Sequence, residues 1–360
     1  MQKKKALVII GRLSNSGAPL TTLHFIEQLD VLMDFDVLVL NAQNEGDLTR
    51  KSLYEKCCKN VIVCNYGPFN LITHKKNREQ VINHIKQLIN SNNYDYVYSI
   101  SGLLVSFIFK KIKQANMHIK TIFYSLGPGA IRRKGKNLLL NLLFKIKFEN
   151  SIKYMDYIFY ISNKCVSRAM LKSGHCFELI DYPEVEVNIT KASHQKNVLG
   201  ILATISKNKN QIFCIRLIEF LNKFDNFKLI IMGNIIEMDY YQKIVKYINN
   251  HNLQNIIEFL PGDSDKRAFF EQIDLLLLPS KREGLPLVLL ESQYLGIGCI
   301  SSRVVPESAD LGGLYRLKTS ITKWSSFILH NKIGDFVISA DLKQRFCYTL
   351  KNQFGSINEN

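Results

Sequence analysis

Several absences narrow the class of this 360-residue chain before any motif is read. The longest apolar stretches, LLVSFIF at 103–109 and IDLLLLP at 273–279, fall far short of the ~20 residues that cross a bilayer as a helix, so no membrane span is expected. The opening MQKKKALVIIGR has the basic flank of a secretion signal. Its apolar run, ALVII, is short, Arg12 follows at once and no small-residue cleavage site appears, so it reads as a first β-strand. The cysteines Cys57, Cys58, Cys64, Cys165, Cys176, Cys214, Cys299 and Cys347 form no CxxC pair and no cysteine–histidine cluster at zinc spacing. That excludes a disulfide framework and points to reduced thiols in a cytoplasm. The 8 histidines show no HxH or HExxH spacing, so no catalytic metal is assigned to them. No GxGxxG follows a strand, since Gly11 and Gly17 are six apart, and no Lys-Ser/Thr completes a Walker loop; a NAD-dependent dehydrogenase is disfavoured. With 46% hydrophobic residues, 19 Gly and 8 Pro, disorder and fibre are excluded, and the length suits two domains with separate cores.

Acidic residues are scarce in one half only. Residues 1–180 hold 26 Lys and Arg against 12 Asp and Glu, a net +14, and residues 181–360 supply only +2 of the chain's +16. A basic first half suggests contact with something anionic: a membrane surface, a lipid diphosphate, an acidic polymer or nucleic acid. Nucleic acid is the weakest of these, because the basic residues form neither a recognition helix nor an aromatic-lined groove.

Strand-like runs alternate with helix-length amphipathic stretches along the chain, the pattern of an α/β protein. Strands are expected at 6–10, 36–40, 61–63, 94–100, 119–124 and 156–162. After a polar, Pro183-containing interruption at 181–196, further strands are expected at 198–203, 227–233, 255–261, 274–280 and 298–302. The expected organisation is two doubly wound domains, 1–182 and 183–340, facing one another across a cleft, followed by a C-terminal helix and tail at 341–360. Such sheets bind ligands at the carboxyl ends of their strands.

The sharpest local signal is SKREGLPLVLLESQYLGIGCISS at 280–302. A buried strand ends in a polar turn, Gly284 permits a tight backbone, and Pro286 suits a helix start because its missing N–H is not needed there. The turn delivers backbone N–H groups and a helix N-terminus, suited to a phosphate. Glu283 sits in the turn and Glu291 about a turn and a half into the helix, where carboxylates suit sugar hydroxyls better than phosphate. A capping acid and a solvated helix acid remain the plain alternative.

The segment resembles the signature of glycosyltransferase family 4, retaining enzymes of the GT-B fold with two Rossmann-like domains, in which a strand ends in a polar turn followed by E-G-x-P-x-x-x-x-E. The resemblance implies that Glu291 binds the nucleotide ribose, that Glu283 lies beside the donor sugar, and that the amides near Gly284 and Leu285 face the donor. ILATISKNKNQIFCIRLIEFL at 201–221 resembles the opening of the family's second domain, where a basic pair grips the diphosphate. Lys209 falls on the lysine. Thr204 stands at the arginine position and removes a bidentate phosphate donor, for which Lys207, Lys281 or Arg282 are the candidate substitutes. LIIMGN at 229–234 resembles the family's glycine-ended strand, placing Gly233 at the donor, and FLPGDSDKRAFFEQIDLLLLPS at 259–280 its base-contacting loop, with Gly262. In the first domain, GRLSNSGAPLTTLHFIEQL at 11–29 resembles the glycine loop that lets backbone approach donor phosphates at Gly17; a helix-start turn is the plain reading of Gly17 and Pro19. The histidine that family members often carry in the loops after later strands of this domain is absent at YSISG (98–102) and FYSLGPG (123–129), so either Ser125 and the backbone of Gly127 to Gly129 serve the acceptor region or activity is reduced.

The implied activity is retaining transfer from a UDP- or GDP-sugar to a glycan, lipid-linked or polysaccharide, in capsule, O-antigen or exopolysaccharide synthesis. Glu283 and Lys209 are the expected catalytic groups, and no metal or other cofactor is called for. Asp34-Phe35-Asp36 and Asp263-Ser264-Asp265 spell D-x-D but fall at element ends, where Asp caps and turns are common, and are not assigned to metal. His24 is read as a packing or surface residue. In AIRRKGKNLLLNLLFKIKFENSIKYMDY at 130–157, Arg132, Arg133, Lys134 and Lys136 precede a leucine-rich helix with a polar stripe of Asn137, Asn141 and Lys145. Two readings stay open there: an interfacial anchor on anionic lipid, making the protein peripheral at the inner face of the cell membrane, or a buried helix with a solvated basic turn. The functional alternatives are a non-catalytic transferase-like subunit acting with a partner transferase, and a nucleotide-sugar epimerase.

Overall fold

The structure, a computed structural model, describes residues 3–14, 16–67, 75–115, 118–127, 138–182, 197–331 and 342–354. It divides into two compact units, Met1–Asp181 with Asp341–Asn360, and Tyr182–Ala340.

The first unit is built on β1 (Lys4–Ile10), β2 (Met33–Val39), β3 (Asn60–Val63), β4 (Tyr96–Ser99), β5 (Lys120–Ser125), β6 (Tyr157–Tyr160) and β7 (Cys176–Glu178), in the spatial order β3-β2-β1-β4-β5-β6-β7. Every pairing between these strands is parallel. Successive side chains of a strand point to opposite faces, so β1 serves two cores. Leu7 and Ile9 join Leu38, Val97, Phe123 and Ile158 against Val81, Ile85, Val105, Phe109, Phe144 and Phe148 on one face. On the other, Val8 is buried with Phe25, Tyr98, Tyr124, Phe159 and Phe354.

Phe354 comes from the terminal helix Leu342–Phe354. Its ring lies 6.2 Å from Phe25, 6.0 Å from Phe159 and 5.0 Å from Tyr157, so the end of the chain fills the core built by its beginning.

The second unit carries β8 (Val198–Leu202), β9 (Lys228–Met232), β10 (Ile257–Leu260), β11 (Leu275–Leu278), β12 (Gly298–Ser302) and β13 (Leu314–Leu317), in the order β10-β9-β8-β11-β12-β13, again all parallel. The four leucines of β11 are wholly buried, as a central parallel strand covered on both faces requires. In the helix Gln211–Leu221, Cys214, Leu217, Ile218 and Leu221 recur at helical spacing and face the sheet, with Trp324 packed edge-on to Phe213 at 5.0 Å.

Both sheets therefore wind outward from their first strand, the doubly wound order. The strands expected from the sequence form. β7 and β13, short and at sheet edges, were not expected; in β13 buried Leu314 is followed by exposed Tyr315 and half-buried Arg316 and Leu317, a weak apolar signal.

Replacing Phe354 by Ala removes a fully buried aromatic ring, and a loss of about 3–5 kcal/mol is expected in the first unit. Trp324, the sole tryptophan, reports the second unit. Urea unfolding should show the circular-dichroism transition moving to lower denaturant while the Trp324 fluorescence transition stays in place. Unchanged circular dichroism would show that the terminal helix does not hold the first unit.

Candidate functional site

In the second unit the winding reverses between β8 and β11, so the loops after these adjacent strands diverge and leave the crevice in which doubly wound sheets bind ligands. Lys209, in the loop after β8, and Glu283, in the turn after β11, meet there: Lys209 Nζ lies 2.7 Å from Glu283 Oε1, with both side chains largely buried. The two loops are tied by further bonds. Lys281 N–H donates to the Asn208 carbonyl (2.8 Å), Asn208 Nδ2 to the Arg282 carbonyl (3.1 Å) and Asn210 Nδ2 to the Pro279 carbonyl (3.4 Å). Asn210, at φ 58°, caps the following helix in the left-handed region that asparagine tolerates. Asn208 and Asn210 were not singled out in the sequence, although the polar run SKNKN between a strand and an apolar helix carried the signal.

The two glycines act by letting neighbouring loops close on this site. A Cβ on Gly233 would stand 2.0 Å from the Ala203 carbonyl oxygen, and one on Gly262 2.5 Å from Asn234 Oδ1. Both positions are closed to any side chain. The loop after β9 thereby packs on the start of the Lys209 loop, where Ile205 N–H donates to the Asn234 carbonyl at 2.9 Å. Thr204 is half-buried, and its carbonyl accepts from Gln211 Nε2 at 2.9 Å.

Beyond the Glu283 turn, Gly284 is half-buried and Leu285 buried. Pro286 sits at the N-cap of the helix Leu287–Tyr294, one residue ahead of its first turn. Glu291, the fifth residue of that helix, points inward and is 3% exposed. It is neither a capping nor a solvated acid. A buried carboxylate needs a partner, and Lys266 Nζ supplies one at 2.8 Å. Lys266 opens the helix Lys266–Gln272, whose N-cap Asp265 accepts from Arg267 N–H at 2.8 Å. The sequence reading missed Lys266, because its partner lies two elements away. Arg282, Lys281 and Lys207 are exposed near the crevice, and Lys207 Nζ is 3.9 Å from Glu237.

In the first unit, Gly17 opens the helix Gly17–Leu29 after β1, at the corresponding reversal between β1 and β4, and is exposed there. Ser125 stands differently from the expectation of a ligand-facing hydroxyl: it is fully buried and donates to the Cys165 carbonyl. Gly127 is half-buried with open space where a Cβ would stand. Gly129, Arg132, Arg133, Lys134 and Lys136 lie outside the described residues. His24, read as packing or surface, is fully buried, with Nδ1 in hydrogen-bond contact with Asp181 Oδ1 at 2.7 Å, and Thr21 donates to the other oxygen of that carboxylate. Asp36 accepts from Tyr94 and Asn60, and no group of three or more potential metal ligands occurs among the described residues. A cavity of about 640 Å³ lined by Lys120, Lys153, Asp156 and His175 opens at the amino ends of β5 to β7, the ends opposite those that bind ligands.

Three comparisons bear on the family and the fold. Residues 184–311 match the family model described as glycosyl transferases group 1. Over 320 residues the chain is 23% identical to the capsular polysaccharide biosynthesis glycosyltransferase CapH of Staphylococcus aureus, covering 84% of this chain and 82% of that protein. A Campylobacter jejuni alpha-1,4-N-acetyl-D-galactosaminyltransferase, named for GalNAc-alpha-(1->4)-GalNAc-alpha-(1->3)-diNAcBac-PP-undecaprenol, is 28% identical over 131 residues, 35% of this chain and 34% of that one. Among solved structures, Anabaena HepE in complex with UDP superposes with a TM-score of 0.70 at 15% identity, over 98% of this chain and 99% of that one.

The Lys266–Glu291 pair yields a prediction. Lys266→Ala strands a buried carboxylate, and a cost of about 1–2 kcal/mol is expected, below that of a fully buried pair because Lys266 is 45% exposed. The double variant with Glu291→Gln should lose less than the sum of the single changes in the urea midpoint of Trp324 fluorescence. Additive losses would show that the two side chains do not support each other. With the doubly wound sheets, the E-G-x-P-x-x-x-x-E segment set at the strand reversal and the family match together, residues 184–311 belong to the glycosyl transferases group 1 family and the chain is a glycosyltransferase of the GT-B fold.

Proposed function

We propose that the protein transfers a sugar, with retention of anomeric configuration, from a UDP- or GDP-sugar to a lipid-linked glycan in the assembly of a capsule, O-antigen or exopolysaccharide. The observation that carries this reading is the Lys209–Glu283 pair at the strand reversal, with buried Glu291 on the adjoining helix. As the bond from sugar to diphosphate breaks, negative charge gathers on the departing phosphate. Lys209 and the amides of Gly284 and Leu285 are the groups set to offset it, in a place where water is largely excluded. Glu283 holds Lys209 in position and accepts hydrogen bonds from the donor sugar. Glu291, held by Lys266, accepts from the ribose hydroxyls. Retention follows when the acceptor hydroxyl attacks the face from which the diphosphate leaves and passes its proton to the departing phosphate oxygen. Thr204 cannot grip phosphate in the bidentate manner of arginine, so the second cation falls to Lys207, Lys281 or Arg282.

The relatives support the remaining parts. HepE carries UDP in this fold, CapH is named for capsular polysaccharide, and the Campylobacter enzyme is named for a PP-undecaprenol saccharide. In this reading the work is done in the cytoplasm, peripheral to the inner face of the membrane, which a lipid-linked acceptor of that kind supports.

The test is a donor screen. Purified protein is incubated with UDP- and GDP-sugars while thermal shift and nucleoside diphosphate release are followed, with Lys209→Ala and Glu291→Ala alongside. One donor should stabilise the chain and release its diphosphate, and both responses should fall at least about tenfold in each variant. A folded chain that answers to no donor would overturn the reading in favour of a transferase-like subunit working with a partner transferase.

A further inference from the structure

The helix Leu138–Ser151 carries two apolar faces, and among the described residues only one of them is buried in the first unit. Phe144 and Phe148 enter the core beside Phe109 and Phe123, which fixes the orientation of the helix. On the opposite side, Leu139, Leu142, Leu143 and Ile146 stand at i, i+3, i+4 and i+7 and form one continuous ridge. These four side chains are between 42% and 65% exposed. Scattered exposed leucines are ordinary, but four in a row along two turns of one helix are not.

The ridge is bordered by positive charge. Lys145 flanks it on one side and Lys147 on the other, both exposed, and Lys147 and Arg78 each lie over the Phe107 ring, at 4.7 and 5.1 Å from its centroid. Lys110, Lys111 and Lys153 are exposed on the neighbouring elements. Glu149 is the exposed acid on the same helix. An apolar ridge between cations matches an anionic bilayer surface, with acyl chains meeting the leucines and headgroup phosphates the lysines. It does not match a basic first unit of a second copy, which would bring like charges together across the contact.

We infer that the Leu139–Leu142–Leu143–Ile146 ridge is a membrane-docking surface that seats the first unit on anionic lipid. The inference deepens the function proposed above, since it supplies the route by which a lipid-linked acceptor is met, and it rests on that reading only for its purpose. Docking itself requires no donor and no catalysis. The ridge is too short to span a bilayer, and no helix among the described residues is long and apolar enough to do so, so the contact is interfacial.

The experiment is flotation of the full chain with two kinds of vesicle, phosphatidylglycerol mixed with phosphatidylcholine and phosphatidylcholine alone, at low and at high salt. The wild type should float with the anionic vesicles, less at high salt and little with phosphatidylcholine. The double variant Leu142→Gln, Ile146→Gln should need at least about tenfold more anionic lipid for half-maximal flotation. Its melting temperature and its response to the donor should be unchanged, because both positions are exposed and far from the Lys209 loop in sequence. Lys145→Gln with Lys147→Gln should weaken flotation several-fold and flatten its salt dependence.

No flotation of the wild type at low salt would overturn the proposal. Flotation that survives the glutamine pair would overturn it as well. A wild-type dimer that the glutamine pair converts to monomer, seen by light scattering, would assign the ridge to a second copy of the chain and overturn the lipid assignment. Failure of the donor screen with flotation intact would remove the transferase reading and leave the docking surface standing.

Discussion

Lys209 and Glu283 are 74 residues apart in the chain and 2.7 Å apart in space, and the remaining features of the site depend on that meeting. It exists because β8 and β11 are neighbours in the sheet although two strands separate them in sequence. Their loops must part, since one connection runs to β9 on one side and the other to β12 on the opposite side. A charge pair held in that gap is sheltered by the sheet beneath it, and its electrostatic effect is correspondingly stronger than at an open surface. The asparagine bonds that tie the two loops, and the closed approach at Gly233 and Gly262, keep the pair in register.

The second carboxylate illustrates a different constraint. Glu291 lies on a helix that buries Leu289 and Leu290, so its orientation is set by packing rather than by the acid itself. Once turned inward, the carboxylate requires a cation, and Lys266 reaches it from the start of another helix whose own N-cap is Asp265. Charge compensation and helix capping are thus combined within three consecutive residues, Asp265 to Arg267, of the stretch that resembles a base-contacting loop.

Much of this was legible in the order of residues. The alternation of apolar strands with amphipathic helices is a property of neighbours in the chain, and it located nearly every strand; β7 and β13 escaped because edge strands are short and half-exposed. The E-G-x-P-x-x-x-x-E spacing placed Glu283 in a turn and Glu291 inside a helix, which the structure reproduces. Long-range partners were not legible. Nothing near His24 announces Asp181, 157 residues away, and nothing near Ser125 announces the Cys165 carbonyl that takes its hydroxyl. A side chain's role in those cases is fixed by what the fold brings to it.

The leucine-rich helix at 138–151 marks the division between the two kinds of information. Sequence by itself determined that the segment is helical, apolar on more than one side and basic, because propensity, periodicity and charge are local. It left both a buried helix and an interfacial one open. Only the tertiary structure decided between its faces, since burial depends on which residues from distant segments arrive: Phe109 and Phe123 cover Phe144 and Phe148, and nothing among the described residues covers the ridge opposite to the extent of burying it. The same holds for the site. The sequence supplied the lysine, the glutamates and the glycines, and the strand order of a parallel sheet brought them to one end of it, because in such a sheet contact follows spatial neighbourhood and not position along the chain.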